Sequence, residues 1–320
     1  MKPVSDSSAS ASEGEAATER AAEVGELLAL SLPARTRRLL QLYHLRPRKA
    51  LSQNFLIDAA LAEVLAQAVD RYAGPEALIV EIGAGLGALT VPLAKLARQL
   101  IACEIDRHLI PALELLTSPF GNVTVRRCDI SKEDLSVLAP GRRLAIVGNL
   151  PYHLSGLLLR GLMELGHCCD IIIVTVQAEV AERLLAGPGD DQYGVMSVFA
   201  AYYLSRVEVL QRLGPGAFLP RPEVHSTALA LHPLPEPAEA AGLPPQQEQL
   251  LFLTIKAAFA HRRKTLRNSL AMSSHLDITK SDLDAALAKA SLDGSRRGEE
   301  LGLADLVRLA VAIQSVTEGR

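Results

Sequence analysis

The chain has no apolar run that could cross a bilayer. Its most hydrophobic uninterrupted stretch, Ile171-Ile172-Ile173-Val174, is strand-sized, far short of the ~20 residues a spanning helix needs. The N-terminal stretch carries no hydrophobic segment of the kind a secretory signal requires. Arg20 is the only arginine before Arg35, so neither secretion nor mitochondrial import is expected. Cysteine is scarce. Cys103, Cys128, Cys168 and Cys169 show no CxxC spacing, which argues against a zinc site and against a disulfide framework. No metal and no membrane partner are expected, and a reducing cytoplasm is the expected location.

What is present is a globular balance. Of 320 residues, 49% are hydrophobic and 22% charged, enough for a sizeable core and too apolar for a wholly disordered chain. That length suits about two domains and a tail. The net charge of −3 hides a polarity. Residues 1–32 are acidic and Ser/Ala-rich without an aromatic, and are expected to be a disordered tail. Residues 33–49 then carry Arg35, Arg37, Arg38, Arg46, Arg48 and Lys49 with no acid. A second acid-free stretch holds Arg262, Arg263, Lys264 and Arg267. One such cluster is ordinarily a solvated face; two in one chain favour contact with nucleic-acid phosphates.

Apolar residues recur at helical spacing across 59–69, with Asp58 placed to cap the helix. After Gly74-Pro75, short apolar runs at 78–82, 100–103, 123–125, 144–147 and 171–176 alternate with helical patterns. That alternation predicts an α/β fold with a parallel sheet covered on both faces. Two later β-rich stretches, 202–210 and 226–231, are expected to pair as an antiparallel edge. The Pro-rich stretch 233–245 reads as a linker between an α/β domain over 33–232 and a helical domain over 246–320. There, Ser281 and Asp284 offer a capping box.

The first strand runs into Gly83-Ala84-Gly85-Leu86-Gly87, where glycine permits left-handed backbone and close approach of a ligand. Glu104 follows about twenty residues later, where an acid binds ribose hydroxyls in doubly wound folds. Asp129 ends the third strand, placed to accept from an adenine amine. The spacing is GxGxG, not GxGxxG, and Glu81 precedes the loop. A carboxylate there repels a pyrophosphate and suits a sulfonium and an ammonium, so S-adenosylmethionine is expected over NAD.

The fourth strand ends at Asn149-Leu150-Pro151-Tyr152. Pro151 stops the ladder and pushes Leu150 toward an extended conformation, with its carbonyl free to face a cleft. The Asn149 side-chain oxygen and the Leu150 carbonyl can together hold the protons of an adenine amine, and Tyr152 can stack on the base. Phe218, in Phe218-Leu219-Pro220-Arg221-Pro222, reads equally as a second wall of a base pocket or as a core residue.

Taken together these segments resemble the small-subunit ribosomal RNA adenine N6,N6-dimethyltransferases. The resemblance runs through Lys49-Ala50-Leu51-Ser52-Gln53-Asn54-Phe55-Leu56, the glycine loop with Glu81, Glu104-Ile105-Asp106, Asn149 to Tyr152, Tyr193-Gly194, Phe218 to Pro222 and Phe259 to Leu266. It implies a Rossmann-like, seven-stranded class I methyltransferase sheet with a small all-helical C-terminal domain that helps grip RNA. It implies that Gln53, Asn54 and Leu56 lie over S-adenosylmethionine, Gly83 and Gly85 line its methionine side, Glu104 binds the ribose, Asp129 the adenine, and Asn149 bridges cofactor and target base. The implied reaction is dimethylation of two adjacent adenosines near the 3′ end of small-subunit RNA, with the immature small ribosomal subunit as partner and a monomer as the acting species. Arg46, Arg48, Lys49, Arg262, Arg263, Lys264 and Arg267 are the expected RNA contacts. Ser52 stands where the family usually has glycine, and Ala84 where it has proline. The alternatives are a large-subunit RNA adenine methyltransferase of the antibiotic-resistance type, and a ribosome-assembly factor that has lost turnover.

Overall fold

Residues 78–82 form a strand buried along its whole length in the computed structural model, which describes residues 7–48, 51–138, 140–151 and 155–318. In chain order the first elements are α1 (Ser7–Ala29), α2 (Leu32–Leu42), β1 (Phe55–Leu56), α3 (Ala59–Tyr72), β2 (Leu78–Ile82), α4 (Thr90–Leu96), β3 (Leu100–Glu104), α5 (Ile110–Thr117), β4 (Val123–Arg127) and β5 (Leu144–Asn149). Next come α6 (Ser155–Met163), β6 (Cys169–Gln177), α7 (Ala178–Leu185), α8 (Val195–Tyr203), β7 (Leu204–Leu213), β8 (Phe218–Leu219) and β9 (Ser226–Pro233). The chain then continues through α9 (Pro237–Ala240), α10 (Glu248–Phe259), α11 (Leu266–Met272), α12 (Lys280–Lys289) and α13 (Leu303–Glu318).

The main sheet has seven strands in the order β4-β3-β2-β5-β6-β9-β7, and β1 pairs antiparallel with β8 in a separate ribbon. β2 pairs parallel with both β3 and β5, and β3 with β4. Leu144 to Val147 of β5 are fully buried, as expected of parallel strands covered on both faces. The chain runs outward from β2 through β3 to β4, then returns to the other side of β2 as β5. That reversal opens a crevice at the carboxyl ends of β2 and β5, the place where open α/β sheets bind ligands.

Two compact units divide the chain, one of residues 1–153, 173–175 and 210–228, the other of residues 154–172, 176–209 and 229–320. The predicted domain boundaries at 232 and 246 both fall inside the second unit. In the predicted linker, Pro237–Ala240 is a short helix.

The expected disordered tail is corrected over Ser7–Ala29, which is helical; residues 1–6 lie outside the described residues. Val24 and Leu27 are 1% and 4% exposed and join Leu39, Leu86, Leu109, Leu115 and Leu116 in one apolar cluster, with Leu28 packed beside them. Ala and Glu are strong helix formers, and the i, i+3, i+4 stripe of Val24, Leu27 and Leu28 supplies the docking face. The cap of α3 is as expected, with Asp58 accepting from the Leu61 amide at 3.1 Å. On α12 the capping residue is Thr279 rather than Ser281: its hydroxyl accepts from the Asp282 amide at 3.2 Å and donates to the Asp282 carboxylate at 2.6 Å.

Candidate functional site

An open cavity of about 110 Å³ lies at the reversal between β2 and β5 and is lined by residues 51–56, Glu81, residues 83–86, Glu104, Ile105, Asn149, Leu150 and Pro151, among others. The glycine loop builds its floor. The amides of Gly83 and Ala84 both donate to the Cys103 carbonyl, at 2.9 and 3.0 Å, which folds the loop back over β3. Gly83 and Gly85 have φ of 71° and 56°, where a side chain is strained, and a Cβ on Gly85 would stand 3.3 Å from the Phe55 ring.

Two buried carboxylates face this floor. Glu104 accepts from the amides of Gly85 and Asp106, both at 2.8 Å. Its pKa is raised by burial, against which these hydrogen bonds act. The Gly85 amide, which would cradle a phosphate in a dinucleotide enzyme, is thus already given to a carboxylate. Glu81 is 2% exposed and its Oε2 has no partner. Burial pushes its pKa up to about 8, helped by the charge of Glu104 and opposed by the nearby Thr90 hydroxyl. An orphaned carboxylate oxygen in a cavity wall fits a cationic ligand.

The opposite wall is the 51–56 segment. Ser52 adopts φ of 49°, the left-handed conformation that favours the glycine it replaces. Gln53 donates to Asp106 Oδ2 at 2.9 Å and accepts from the Arg48 amide at 2.8 Å. The Asn54 side chain donates to the Ser52 carbonyl at 3.2 Å. Leu56 is buried and pairs with Phe218 across the β1–β8 ribbon.

Asn149 closes the cavity. Its Nδ2 donates to the Asn54 carbonyl at 3.0 Å, which leaves Oδ1 buried with no partner. Its neighbour Gly148 has no alternative residue: a Cβ there would lie 2.4 Å from the Ile82 carbonyl. Leu150 is held by its amide on the Thr175 carbonyl at 3.1 Å.

The cavity thus brings together Gln53, Asn54, Leu56, Glu81, Gly83, Gly85, Glu104, Asn149, Leu150 and Pro151. Tyr152 and Lys49 lie outside the described residues. Asp129 is not in the lining; it follows the edge strand β4 and its carboxylate is captured locally by Ser131, at 2.6 Å to the hydroxyl, and by Lys132 at 3.2 Å. Phe218 is a core residue, 1% exposed, because its backbone is paired to β1. Asp106, which sequence reasoning placed only inside a motif, proves to anchor Gln53.

The basic residues divide likewise. Residues 260–265 form the turn joining α10 to α11. Within it Arg263 and Lys264 are exposed and make no ion pair among the described residues. Arg262 is held by Glu299 at 3.0 Å and by the Asp191 carbonyl at 2.5 Å, and Arg267 pairs with both oxygens of Asp284 at 2.6 and 2.8 Å. In the other cluster Arg35 is buried, Arg48 reaches Asp106 at 3.4 Å, and Arg37, Arg38 and Arg46 are exposed.

Comparison with known proteins agrees with this arrangement. Residues 44–301 match the family described as ribosomal RNA adenine dimethylase. The chain is 35% identical over 281 residues to the ribosomal RNA small subunit methyltransferase A of Alkaliphilus metalliredigens, covering 87% of this chain and 95% of that protein. It is 38% identical over 295 residues to the protein of the same name from Pelotomaculum thermopropionicum, covering 89% and 97%. Among solved structures, a dimethyladenosine transferase from Plasmodium falciparum superposes with a TM-score of 0.69 at 21% identity, over 82% of this chain and 98% of that one. The 23S rRNA methyltransferase ErmE superposes with a TM-score of 0.62 at 22% identity, over 82% and 100%. These two likenesses show the fold. With a family match over most of its length and curated relatives above 30% identity along nearly their whole chains, this protein belongs to the ribosomal RNA adenine dimethylase family.

Proposed function

We propose that the chain transfers methyl groups from S-adenosylmethionine to the N6 amine of adenine in small-subunit ribosomal RNA, at two adjacent adenosines near its 3′ end. One observation carries this reading. The Asn149 amide is turned so that its nitrogen is spent on the Asn54 carbonyl and its oxygen is left buried and unpaired beside the glycine loop. A buried acceptor without a donor is costly, and an exocyclic amine supplies the missing donor.

The cavity residues fit the cofactor. In this reading Glu104 takes the ribose hydroxyls, Glu81 the positive charge, and Gln53, Asn54 and Leu56 the opposite wall; all five line the cavity. S-adenosylmethionine, when bound, supplies an electrophilic methyl group on a positively charged sulfur. The chain's part is positioning. Asn149 Oδ1 and the Leu150 carbonyl hold the two amine protons and turn the nitrogen lone pair out of conjugation with the ring. As positive charge builds on nitrogen, both hydrogen bonds strengthen, which lowers the barrier rather than merely tightening binding. The proton is lost after transfer, so no strong base is needed. Tyr152 is assigned to stacking on the extruded base, a contact type worth roughly 1–3 kcal/mol. Arg46, Arg263 and Lys264 are the assigned phosphate contacts. Asp129, whose carboxylate accepts from Ser131 and pairs with Lys132, has no part in this reading.

The acting species in this reading is a single chain working on the immature small subunit in the cytoplasm. Among the described residues no helix is long and apolar enough to cross a membrane. The test is incubation of small- and large-subunit RNA with the protein and isotopically labelled cofactor, followed by nucleoside mass spectrometry. Labelled N6,N6-dimethyladenosine from the small-subunit RNA is expected; label confined to the large-subunit RNA, or none, would reject the reading.

A further inference from the structure

The 51–56 wall of the cavity is tied to β3 through one carboxylate. Asp106 is 4% exposed, and its Oδ2 accepts from Gln53 Nε2 at 2.9 Å. Its Oδ1 accepts from the His108 amide at 3.1 Å and lies 3.4 Å from the Arg48 guanidinium. Its own amide donates to Glu104 at 2.8 Å. One residue beyond Gln53, the Asn54 carbonyl is the acceptor that fixes the Asn149 amide. A continuous path of hydrogen bonds and backbone therefore runs from Glu104 through Asp106, Gln53 and Asn54 to Asn149. Arg48 is half exposed, so its ion pair is screened and contributes little; the part-buried Gln53 bond is the better protected link.

We propose that Asp106 is a positioning residue for methyl transfer: by holding Gln53 it places the Asn54 carbonyl, and that carbonyl orients the Asn149 amide with its oxygen toward the target amine. The inference rests on the proposed adenine chemistry and adds a residue that touches neither substrate nor the reacting atoms. Without the Asp106–Gln53 bond, the 53–54 backbone loses one of its anchors, keeping those to Arg48, and the Asn149 amide gains freedom to rotate and present its NH2 group to another NH2 group. Misorientation of a reacting group on this scale costs rate more than affinity.

The experiment compares Asp106→Ala, Asp106→Asn, Gln53→Leu and the Asp106→Ala/Gln53→Leu pair in the full chain. The turnover number is measured at saturating RNA and cofactor, and cofactor dissociation constants by calorimetry. Asp106→Ala and Gln53→Leu are each expected to lower kcat at least tenfold at saturating cofactor, and in Asp106→Ala, whose side chain touches no cofactor, the dissociation constant should change less than threefold. The double variant should be within about twofold of the worse single variant, since both cut one link. Asp106→Asn keeps one acceptor oxygen for two donors, Gln53 and the His108 amide, and should recover part of the kcat lost in Asp106→Ala. Losses that multiply in the double variant, a kcat fall below tenfold in Gln53→Leu, or a fall explained by weaker cofactor binding would overturn the proposal. If Asp106→Ala fails to fold, Gln53→Leu and Asp106→Asn decide it. A readout independent of activity is the side-chain 15N–1H signal pair of Asn149, assigned by its loss in Asn149→Ala. It should move in Gln53→Leu and move less in Asp106→Asn; an unmoved signal in Gln53→Leu would overturn the positioning role even if the chain proved to methylate another substrate.

Discussion

The side-chain nitrogen of Asn149 donates to the main-chain oxygen of Asn54 at 3.0 Å, joining the end of β5 to a segment that precedes β1. That bond decides which end of the amide faces the cavity. It turns an ambiguous side chain into a fixed acceptor, and the chemistry assigned to the site follows from the direction in which it points.

Replacing Asn149 by Ala removes the acceptor and leaves the rest of the cavity standing. Removal of one preorganised group of this kind costs about 10²–10³ in kcat. Cofactor affinity, measured by calorimetry, should fall far less than turnover. Asn149→Asp keeps an oxygen but loses the donor to Asn54, and should remain at least tenfold below the parent.

Glu81 gives a pH signature. Burial raises its pKa to about 8, so in the free chain at neutral pH the carboxyl is largely protonated. A cationic ligand prefers the ionised form. Cofactor affinity should therefore rise as pH increases toward 8 and level off above it, with a proton released on binding at pH 7. Calorimetry in two buffers of different ionisation enthalpy checks this. For the ligand-free chain the sign is opposite: a carboxyl whose pKa is raised on folding stabilises the folded state at low pH, and that contribution is lost as pH rises toward and through about 8. Glu81→Gln should flatten both dependences.

The two halves of the basic turn should behave differently. Arg263 and Lys264 are exposed and without ion pairs among the described residues, so Arg263→Ala/Lys264→Ala should weaken RNA binding and reduce the slope of log K against log salt by roughly 1–2. Arg262 and Arg267 are already held by Glu299 and Asp284. Their replacement should change the slope by less than half as much. Equal effects from both pairs would mean that these intramolecular partners are released on binding.

Helix α1 should matter for stability. Val24→Ala/Leu27→Ala removes two side chains buried at 1% and 4%. It should cost about 3 kcal/mol, read as a lowered denaturant midpoint with an unchanged slope. Deletion of residues 1–30 should have at least that effect.

Much of the sheet was legible because parallel strands buried on both faces read as unbroken apolar runs; 78–82 and 144–147 need no partner to be recognised. The α3 cap was legible because Asp58 acts within three residues of itself. What depends on distant partners was not. The helix α1 was hidden by a composition shared with disordered tails, and only its packing with Leu115 and Leu116 reveals the stripe as a docking face. The basic cluster looked uniform until Asp284 and Glu299, far along the chain, were found to claim Arg267 and Arg262. Within the site, residue types pointed to Glu81, Glu104 and Asn149. The unpaired oxygen of Asn149 and the anchoring role of Asp106 are matters of direction, and a sequence does not carry direction. The direction of the Asp129 carboxylate, which accepts from the Ser131 hydroxyl, is of the same kind.

The most direct measurement is a structure of the chain with the demethylated cofactor product and an adenosine-containing RNA fragment. The account predicts Asn149 Oδ1 and the Leu150 carbonyl each within about 3.2 Å of the adenine N6. An adenine bound with N6 facing away from both oxygens, or an Asn149 amide flipped to present its nitrogen, would contradict it.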